Sequence, residues 1–169
     1  MLTYDIANER LFGAIGNQNI ALWARSGGGR GSKIHPDGES GQLGLALWDT
    51  QRQEDGAKRI RGGPLPPGAY VVQKPAIHPT LGLSAYLEQT VTSLLYANPS
   101  SAIGLSVTNR DGFYIHGRGP KGSDGCVVPM EKFNQLMALL KAHAPVVLRV
   151  VNAGARTDKL PPAPPANVA

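Results

Sequence analysis

Apolar residues fall in short runs separated by Gly, Pro and polar turn residues along most of the chain, a pattern that predicts β-strands joined by turns. Residues 2–26 have the pattern of short strands, and the Gly16-Asn17 pair predicts a hairpin turn between two of them. The other predicted strands lie within 62–73 and at Ile103–Thr108, Phe113–His116 and Val146–Val151. The pattern of Leu83–Thr92 fits either a strand or a helix, and its Val, Thr and Tyr residues favour a strand.

One segment has helical periodicity. Its apolar residues recur at i, i+3, i+4 and i+7, which predicts a stripe packed on the core: Phe133, Leu136, Met137 and Leu140. We expect the helix to begin at Pro129, a residue favoured at the first helical position, and to end before Pro145. Glu131 in the first turn and Lys141 in the last would each complement the helix dipole. The sequence thus predicts a mainly β fold with one helix packed on it.

The composition supports a single folded domain. Of the 169 residues, 41% are hydrophobic and 17% are charged, which is enough apolar material for a core. The 21 Gly and 14 Pro residues favour short strands and many turns over long helices. We expect one domain at residues 1–153, followed by a Pro/Ala-rich tail at 154–169 that is extended or disordered.

The chain is basic, with a formal net charge of +5 and an isoelectric point near 9.6. A basic surface suits a polyanionic partner, either a nucleic acid or an anionic wall polymer. The Lys and Arg residues are scattered, and aromatic residues do not interleave with them as in proteins that bind single strands. We therefore expect no nucleic-acid partner.

The first residues, MLTYDIANERLFG, contain no basic segment followed by an apolar stretch, so we expect no cleaved secretory signal. No apolar run approaches the roughly 20 residues of a membrane span. We expect a soluble protein without membrane insertion, made in the cytoplasm, which either stays there or leaves without a cleaved signal.

Candidate chemistry is concentrated in the segment FYIHGRGPKGSDGCVVP, which holds His116 and, ten residues later, Cys126, the only cysteine. Glycines crowd the residues between them, and glycine lets the backbone approach a ligand closely. A neighbouring imidazole activates a thiol, and converging backbone N–H groups hold an oxyanion. The pair fits a cysteine nucleophile with its base. It also fits a small buried thiol and a strand-end histidine.

The residues IHGRGPKGSDGC resemble the active-site signature of the L,D-transpeptidase (YkuD-type) catalytic domain, which is a His, a glycine-rich spacer and then Ser/Thr-x-Gly-Cys. The short spacer and the FYIHG lead-in are most similar to the branch of type VI secretion L,D-transpeptidase effectors. GGPLPPGAYVV and the N-terminal YDIANERLFG and ARSGGG segments also resemble this family, so the resemblance covers most of residues 3–152. It implies an L,D-transpeptidase-like β-sandwich with one helix after the catalytic Cys loop.

By this resemblance Cys126 corresponds to the nucleophile and His116 to its base. Ser123 and Gly125 correspond to fixed positions before the Cys, which shape the loop and supply backbone donors for the oxyanion. Asp124 stands where many members of the family have His. It either orients His116 or is a solvated loop residue.

The residues that would hold the substrate are marked less clearly. Val127 and Val128 stand where many members of the family have an arginine soon after the Cys, which is thought to help hold the substrate. Arg118 and Lys121 are the nearest replacements along the sequence. Tyr114 is a further candidate for the wall of the cleft, although an aromatic residue in a strand more often belongs to the core.

The resemblance implies a substrate and a reaction. The substrate is the stem tetrapeptide of peptidoglycan, cleaved between its third-position diamino acid and D-alanine. Water as the acceptor gives an L,D-carboxypeptidase, a free D-amino acid gives exchange, and a second stem gives a cross-link. The effector branch implies a toxin secreted into the periplasm of a target cell, with type VI secretion components and a cognate immunity protein as partners. No cofactor is implied.

Two other functions stay open. One is a Cys/His peptidoglycan amidase or endopeptidase of another fold; in the papain-like group the Cys usually precedes the His, and here only His143 follows Cys126. The other is a non-catalytic cell-wall-binding module, which would need no intact His/Cys pair. The sequence has no His-x-x-x-His and no Cys-x-x-Cys pair, so we expect no metal site, although His116, Cys126 and Asp124 are a conceivable ligand set.

Overall fold

The computed structural model describes residues 1–27, 64–65, 67–90, 112–117 and 123–151, and at 123 and 124 it describes the backbone alone. These residues form nine strands and a helix in this order: β1 (Leu2–Asp5), β2 (Arg10–Ile15), β3 (Gln18–Gly27), β4 (Gly68–Val72), β5 (Ala76–His78), β6 (Gly82–Gln89), β7 (Tyr114–His116), β8 (Ser123–Pro129), α1 (Phe133–His143) and β9 (Val146–Val151). The predicted strand at Ile103–Thr108 and the C-terminal tail lie outside the described residues.

The strands form one sheet in the order β4-β9-β1-β2-β3-β8-β7-β6-β5, and β4 also pairs with β6. This last pairing closes the strands from β4 to β6 into a barrel and leaves β5 outside the ring. The β1–β9 and β7–β8 pairs are parallel and the others are antiparallel. The mainly β fold predicted from the sequence is confirmed, as is the turn at Gly16-Asn17, where β2 and β3 pair from Ile15 and Gln18.

Side chains that alternate along the strands point into the barrel and form one core. Every strand of the ring contributes fully buried members: Leu2, Tyr4, Leu11, Leu22, Tyr70, Leu87, Ile115, Val127 and Leu148. Tyr70 also meets Phe113 edge to face, with ring centroids 6.1 Å apart. The inner face is therefore packed with side chains, which leaves the outer face and the ends of the barrel for a functional site.

The helix α1 begins later than the sequence predicts. Pro129 is the last residue of β8, and the helix begins at Phe133. The chain after Pro129 keeps following β3, because the Met130 N–H donates to the Trp23 carbonyl (2.8 Å) and the Glu131 carboxylate accepts the Trp23 N–H (3.0 Å). These bonds outweigh the preference of Pro for the first helical position, and they remove Glu131 from the first turn.

The rest of α1 follows the prediction. Its stripe faces the core, where Leu136, Met137 and Leu140 are buried and Phe133 is partly buried. Lys141 lies in the last turn, and the helix ends at His143. Within the described ranges, no helix has the length and apolar character needed to cross a membrane.

The turn between β1 and β2 is held by its acidic residues. Asp5 accepts the Ala7 N–H (3.1 Å), and the backbone carbonyl of Glu9 accepts the N–H of Ala24 on β3 (3.0 Å). Burial raises the pKa of Tyr4 above its usual range, and the carboxylates of Glu9 and Asp5 raise it further. Tyr4 therefore keeps the hydroxyl proton that it donates to the Ala24 carbonyl (3.4 Å). Together these bonds hold Glu9 against β3.

Gly13 lies opposite Leu2 in the β1–β2 ladder. Its φ is 135°, and a Cβ built there would overlap the carbonyl oxygen of Met1 and lie 3.0 Å from the Cα of Leu2. We expect Gly13→Ala to lower the free energy of unfolding by about 3–4 kcal/mol, because backbone strain and overlap with backbone atoms add together. Urea unfolding followed by circular dichroism measures this loss.

Gly82→Ala is the matched control for that variant. Gly82 also has a positive φ (73°), but a Cβ there would meet nothing within 4 Å. We therefore expect Gly82→Ala to lower the free energy of unfolding by only about 1 kcal/mol, the cost of holding an L-residue at a positive φ. Equal losses for the two variants would show that the close approach of β1 to β2 does not require glycine at position 13.

Candidate active site

His116 and Cys126 lie on neighbouring strands. β7 and β8 pair in parallel with Ile115 opposite Val127, and both of these side chains belong to the barrel core. Because successive side chains alternate across a strand, His116 and Cys126 both point to the outer face. Their Cα atoms lie one strand apart across the sheet and two residues apart along it, which corresponds to a separation of roughly 8 Å. The two side chains therefore extend from one face at neighbouring positions.

Both side chains are nearly buried, with 7% of Cys126 and 3% of His116 exposed. Cys126 forms no disulfide, and its Sγ lies 3.9 Å from the carbonyl oxygen of Gly112, the distance of a weak S–H···O hydrogen bond. The resemblance implies that Cys126 lies on a loop followed by the helix. The loop is wrong, because Cys126 lies inside β8, and residues 127–132 separate it from α1.

The strand β8 bulges at Cys126. The β3–β8 ladder pairs Val128 and Ser123 with β3 but leaves residues 124–127 opposite the single residue Ser26. Gly125 adopts a φ of 103°, a conformation that favours glycine. Bulges are frequent next to active sites, where they redirect a side chain and take backbone groups out of the ladder. The Cys loop that the resemblance implies is therefore a bulge within a strand.

Two further segments meet at this bulge. Ser26 is fully buried, and its Oγ accepts the N–H of Leu65 (2.8 Å). Ser26 belongs to the ARSGGG segment and Leu65 to GGPLPPGAYVV, the segments that carry the resemblance besides the Cys126 motif. The fold thus brings three separate sequence features to one place on the barrel.

The register of β6 identifies a residue that sequence reasoning missed. Ser84 lies directly opposite His116 and is 3% exposed. The Leu87 N–H donates to the Phe113 carbonyl (2.9 Å), so these two residues are a hydrogen-bonded pair of the ladder. Pair types alternate along an antiparallel ladder, so Ser84 and His116, three positions further along, are a non-hydrogen-bonded pair. Side chains approach most closely in pairs of this kind. Ser84 is therefore a candidate to orient the imidazole. A serine on the polar face of an alternating strand is ordinary, and only the pairing reveals its neighbour.

Tyr114 lies beside the thiol on the outer face. Extending the β7–β8 register by one residue places it opposite Cys126, and it is half-buried. Its ring centroid lies 5.3 Å from that of Tyr86, which is 40% exposed, and 5.0 Å from that of His78. Unlike Tyr70, these aromatic side chains are not core residues. They form an aromatic wall next to Cys126.

The neighbouring strand carries a cation. β3 pairs Arg25 with Val128, which lies two residues after Cys126 on β8 and at the end of the irregular part of the β3–β8 ladder. The Nε of Arg25 lies 3.7 Å from Oε1 of Glu9; the Arg25 side chain is 38% exposed and that of Glu9 is 6% exposed. Sequence reasoning missed Arg25 because it is far from Cys126 along the chain and nothing in the sequence marks the β3–β8 pairing.

The other residues predicted for the site are not placed. Arg118 and Lys121 lie outside the described residues, as do the side chains of Ser123 and Asp124. In the part of the chain that the structure describes, no group of three or more His, Cys, Asp or Glu residues is arranged to hold a metal ion.

No protein-family model matches the sequence, and no curated protein matches it. Over 89% of its length the chain is similar to the structure of Bdellovibrio bacteriovorus Bd1075, with 13% sequence identity and a TM-score of 0.47. The matched part is 46% of that structure, so the chain spans less than half of its length. A similarity of this size supports no statement about function.

Proposed function

We propose that the chain is a cysteine acyl-transfer enzyme that removes or exchanges the terminal D-alanine of peptidoglycan stem tetrapeptides, as an L,D-carboxypeptidase or L,D-transpeptidase. The observation that carries the proposal is the placement of His116 and Cys126 on one face of the paired strands β7 and β8. The resemblance of IHGRGPKGSDGC to the L,D-transpeptidase signature supplies the substrate class.

Cys126 acts as the nucleophile. Its thiolate attacks the carbonyl carbon that joins the third-position diamino acid to D-alanine, and a C–S bond forms as the carbonyl electrons move to oxygen. Backbone N–H groups at Gly125 and Cys126 hold this oxyanion, each donor contributing about 3 kcal/mol. The bulge supports this role, because it takes both residues out of the β3–β8 ladder.

His116 acts first as a base and then as an acid. It takes the proton of the Cys126 thiol and gives it to the amine of the departing D-alanine, which leaves a thioester on Cys126. The acceptor then attacks the thioester. Water releases a tripeptide stem, a D-amino acid restores a tetrapeptide, and the amine of a second stem forms a cross-link. The aromatic wall of Tyr114, Tyr86 and His78 lines the approach on the same face.

Mass spectrometry of muropeptides tests this proposal. Purified protein is incubated with tetrapeptide-rich peptidoglycan, with and without D-methionine, beside a Cys126→Ala control. We expect D-alanine to be lost, or replaced by D-methionine, only when Cys126 is present, and the product identifies the acceptor. Stems that stay unchanged in every incubation would refute the acyl-transfer proposal.

We also propose that the chain is an antibacterial effector delivered by a type VI secretion apparatus into the periplasm of a neighbouring cell. The support is the short spacer and the FYIHG lead-in, which resemble the effector branch. Depletion of tetrapeptide stems in that compartment would remove donors for normal cross-linking of the wall.

Expression in two compartments of a test bacterium checks the site of action. We expect periplasm-directed protein to arrest growth and cytoplasmic protein to be tolerated, because the substrate lies outside the inner membrane. Growth curves and microscopy of cell shape measure the difference, with periplasm-directed Cys126→Ala as the control. Equal growth of cells with active protein in either compartment would count against the effector role.

The burial of His116 and Cys126 favours a second candidate, a non-catalytic cell-wall-binding module built on the same fold. Such a module requires no reactive thiol. Alkylation of Cys126 with iodoacetamide distinguishes the two candidates. It abolishes the turnover of an enzyme, whereas a binding module still sediments with peptidoglycan after alkylation.

A further inference from the structure

We propose that the aromatic wall beside Cys126 is the subsite for the third-position diamino acid of the stem peptide, and that the ring faces of Tyr86 and Tyr114 hold its side-chain ammonium group. The inference rests on the proposed function and deepens it, because the carbonyl that Cys126 attacks belongs to this diamino acid. It gives the wall a ligand of definite chemistry, a cation on a flexible apolar stem.

The wall begins one strand away from the thiol. β7 and β8 pair in parallel with Ile115 opposite Val127. One residue earlier on each strand, Tyr114 lies opposite Cys126, and both side chains point to the outer face. The Sγ of Cys126 lies 3.9 Å from the carbonyl oxygen of Gly112, two residues before Tyr114. The thiol is therefore directed toward β7, the strand on which the wall begins.

The two tyrosine rings form an accessible pair. Their centroids lie 5.3 Å apart, and their planes are tilted by 55°. Tyr86 is 40% exposed and Tyr114 is half-buried, so the pair is open to solvent on one side. A cation on that side can lie within about 6 Å of both centroids, the range over which an aromatic face attracts a positive charge.

His78 supports the pair from its other end. Its ring meets that of Tyr114 at 68°, with the centroids 5.0 Å apart. Nδ1 of His78 accepts the N–H groups of Thr80 (3.1 Å) and Leu81 (3.2 Å), so this nitrogen carries no proton and the ring is neutral in this arrangement. The turn thus fixes the imidazole against Tyr114 without placing a positive charge beside the ligand.

The charge around the wall favours a cation. Glu88 follows Tyr86 by two residues on β6, so both side chains point to the outer face. The Glu88 carboxylate is exposed and accepts a hydrogen bond from Nε2 of Gln73 (2.5 Å). The faces of the tyrosine rings carry the negative part of the ring quadrupole. An ammonium group on this surface therefore meets aromatic faces and, further along β6, a carboxylate.

The substrate has the length that this arrangement requires. The attacked carbonyl carbon is bonded to the Cα of the diamino acid, and an extended four-carbon side chain places its nitrogen about 6 Å from that Cα. Neighbouring strands lie about 4.8 Å apart. With the carbonyl at Cys126, the ammonium group therefore reaches the rings above β7 and β6. The diamino acid stays on Cys126 as the thioester after D-alanine leaves, so the wall also holds the intermediate for the acceptor.

Three tetrapeptides that differ only at the third position test the subsite. They carry L-lysine, its Nε-trimethyl form, or norleucine, which keeps the four-carbon chain without the amine. We expect wild-type kcat/KM for D-alanine release to be roughly 5- to 30-fold higher for lysine than for norleucine, the ratio that attraction to an aromatic face supplies. Trimethyllysine should stay within about threefold of lysine, because it keeps the charge and loses only N–H donors. A trimethyllysine rate as low as that of norleucine would overturn recognition by ring faces.

Variants of Tyr86 separate recognition from folding. Tyr86→Leu should lower the lysine-to-norleucine ratio at least about threefold, whereas Tyr86→Phe keeps the ring and should keep the ratio. Phe12→Leu is the matched control, because Phe12 on β2 is an aromatic residue of similar exposure (42%), and its ratio should equal that of wild type. Thermal unfolding of each variant reports the stability of the fold. An unchanged ratio in Tyr86→Leu, or a loss equal for lysine and norleucine, would overturn the subsite.

Binding without turnover distinguishes failure of the subsite from failure of the proposed function. The lysine and norleucine tetrapeptides are titrated calorimetrically into Cys126→Ala and into Cys126→Ala combined with Tyr86→Leu. If the lysine peptide binds more tightly only when Tyr86 is present, the subsite stands even if wild-type protein releases no D-alanine. If the two peptides bind equally in both proteins, or neither binds, the subsite is refuted whatever the activity.

Discussion

Replacement of Cys126 by Ala is expected to lower kcat/KM for D-alanine release by at least about 10⁴-fold. The chain has no second cysteine, so no other thiol takes over as the nucleophile. The backbone donors and the substrate contacts remain in this variant, but without a thioester they accelerate only direct attack by water. Released D-alanine is measured with a coupled D-amino-acid oxidase assay.

Two further variants separate the chemistry at position 126 from its packing. Cys126→Ser keeps the size of the side chain, but a hydroxyl is a much weaker nucleophile than a thiolate, so we expect a loss of at least about 10³-fold. Val128→Ala removes a buried side chain from the same outer face and should keep most of the activity. Full activity of Cys126→Ser would refute the mechanism, and inactivity of Val128→Ala would attribute the loss to packing.

The local sequence pattern is sufficient to predict those elements whose structure depends on residues close together in the chain. The Gly16-Asn17 turn joins two strands that pair directly, and the apolar run Val146–Val151 forms β9 within those bounds. The stripe that includes Leu136 and Leu140 faces the core as its spacing predicts. In each case side-chain periodicity or turn chemistry acts within a few residues, so the sequence alone predicts the outcome.

Pairings between distant segments decide the features that the sequence does not predict. The β4–β6 pairing closes the barrel, and β1–β9 joins the two ends of the described domain. The late start of α1 has the same cause, because Met130 and Glu131 are bound by Trp23 across the sheet. A local preference of Pro129 for a helix start loses to hydrogen bonds that only the folded sheet supplies.

The candidate site also has one part that the sequence predicts and another part that it does not. The motif around Cys126 identifies the thiol and His116 as candidates, but it predicts a loop where the structure has a bulged strand. Ser84 has no distinguishing sequence context, and it becomes a candidate because the β6–β7 pairing places it opposite His116. A residue proposed to orient the imidazole is therefore identified from the register of the sheet, and the candidate nucleophile and base from the motif.

His116→Ala is expected to lower kcat/KM about 10³-fold, within the range found for a general base and acid. Without the imidazole, no neighbouring base takes the proton of the thiol, and an unassisted thiol ionises only at alkaline pH. The residual activity of the variant should therefore rise toward alkaline pH, whereas we expect the wild-type protein to act near neutral pH. Rate–pH profiles of D-alanine release and of iodoacetamide alkylation at Cys126 measure the two effects separately.

The neighbours of His116 in the sheet supply the controls for this variant. Ser84 and Val128 both lie beside it in register. Val128→Ala disturbs the packing around the imidazole but should keep the wild-type pH profile, whereas Ser84→Ala should slow turnover roughly tenfold by loosening the ring. If His116→Ala alkylates as fast as wild type at every pH, the imidazole does not activate the thiol. Cys126 would then be the buried, unreactive residue of the binding-module candidate, and the acyl-transfer mechanism would lose its base.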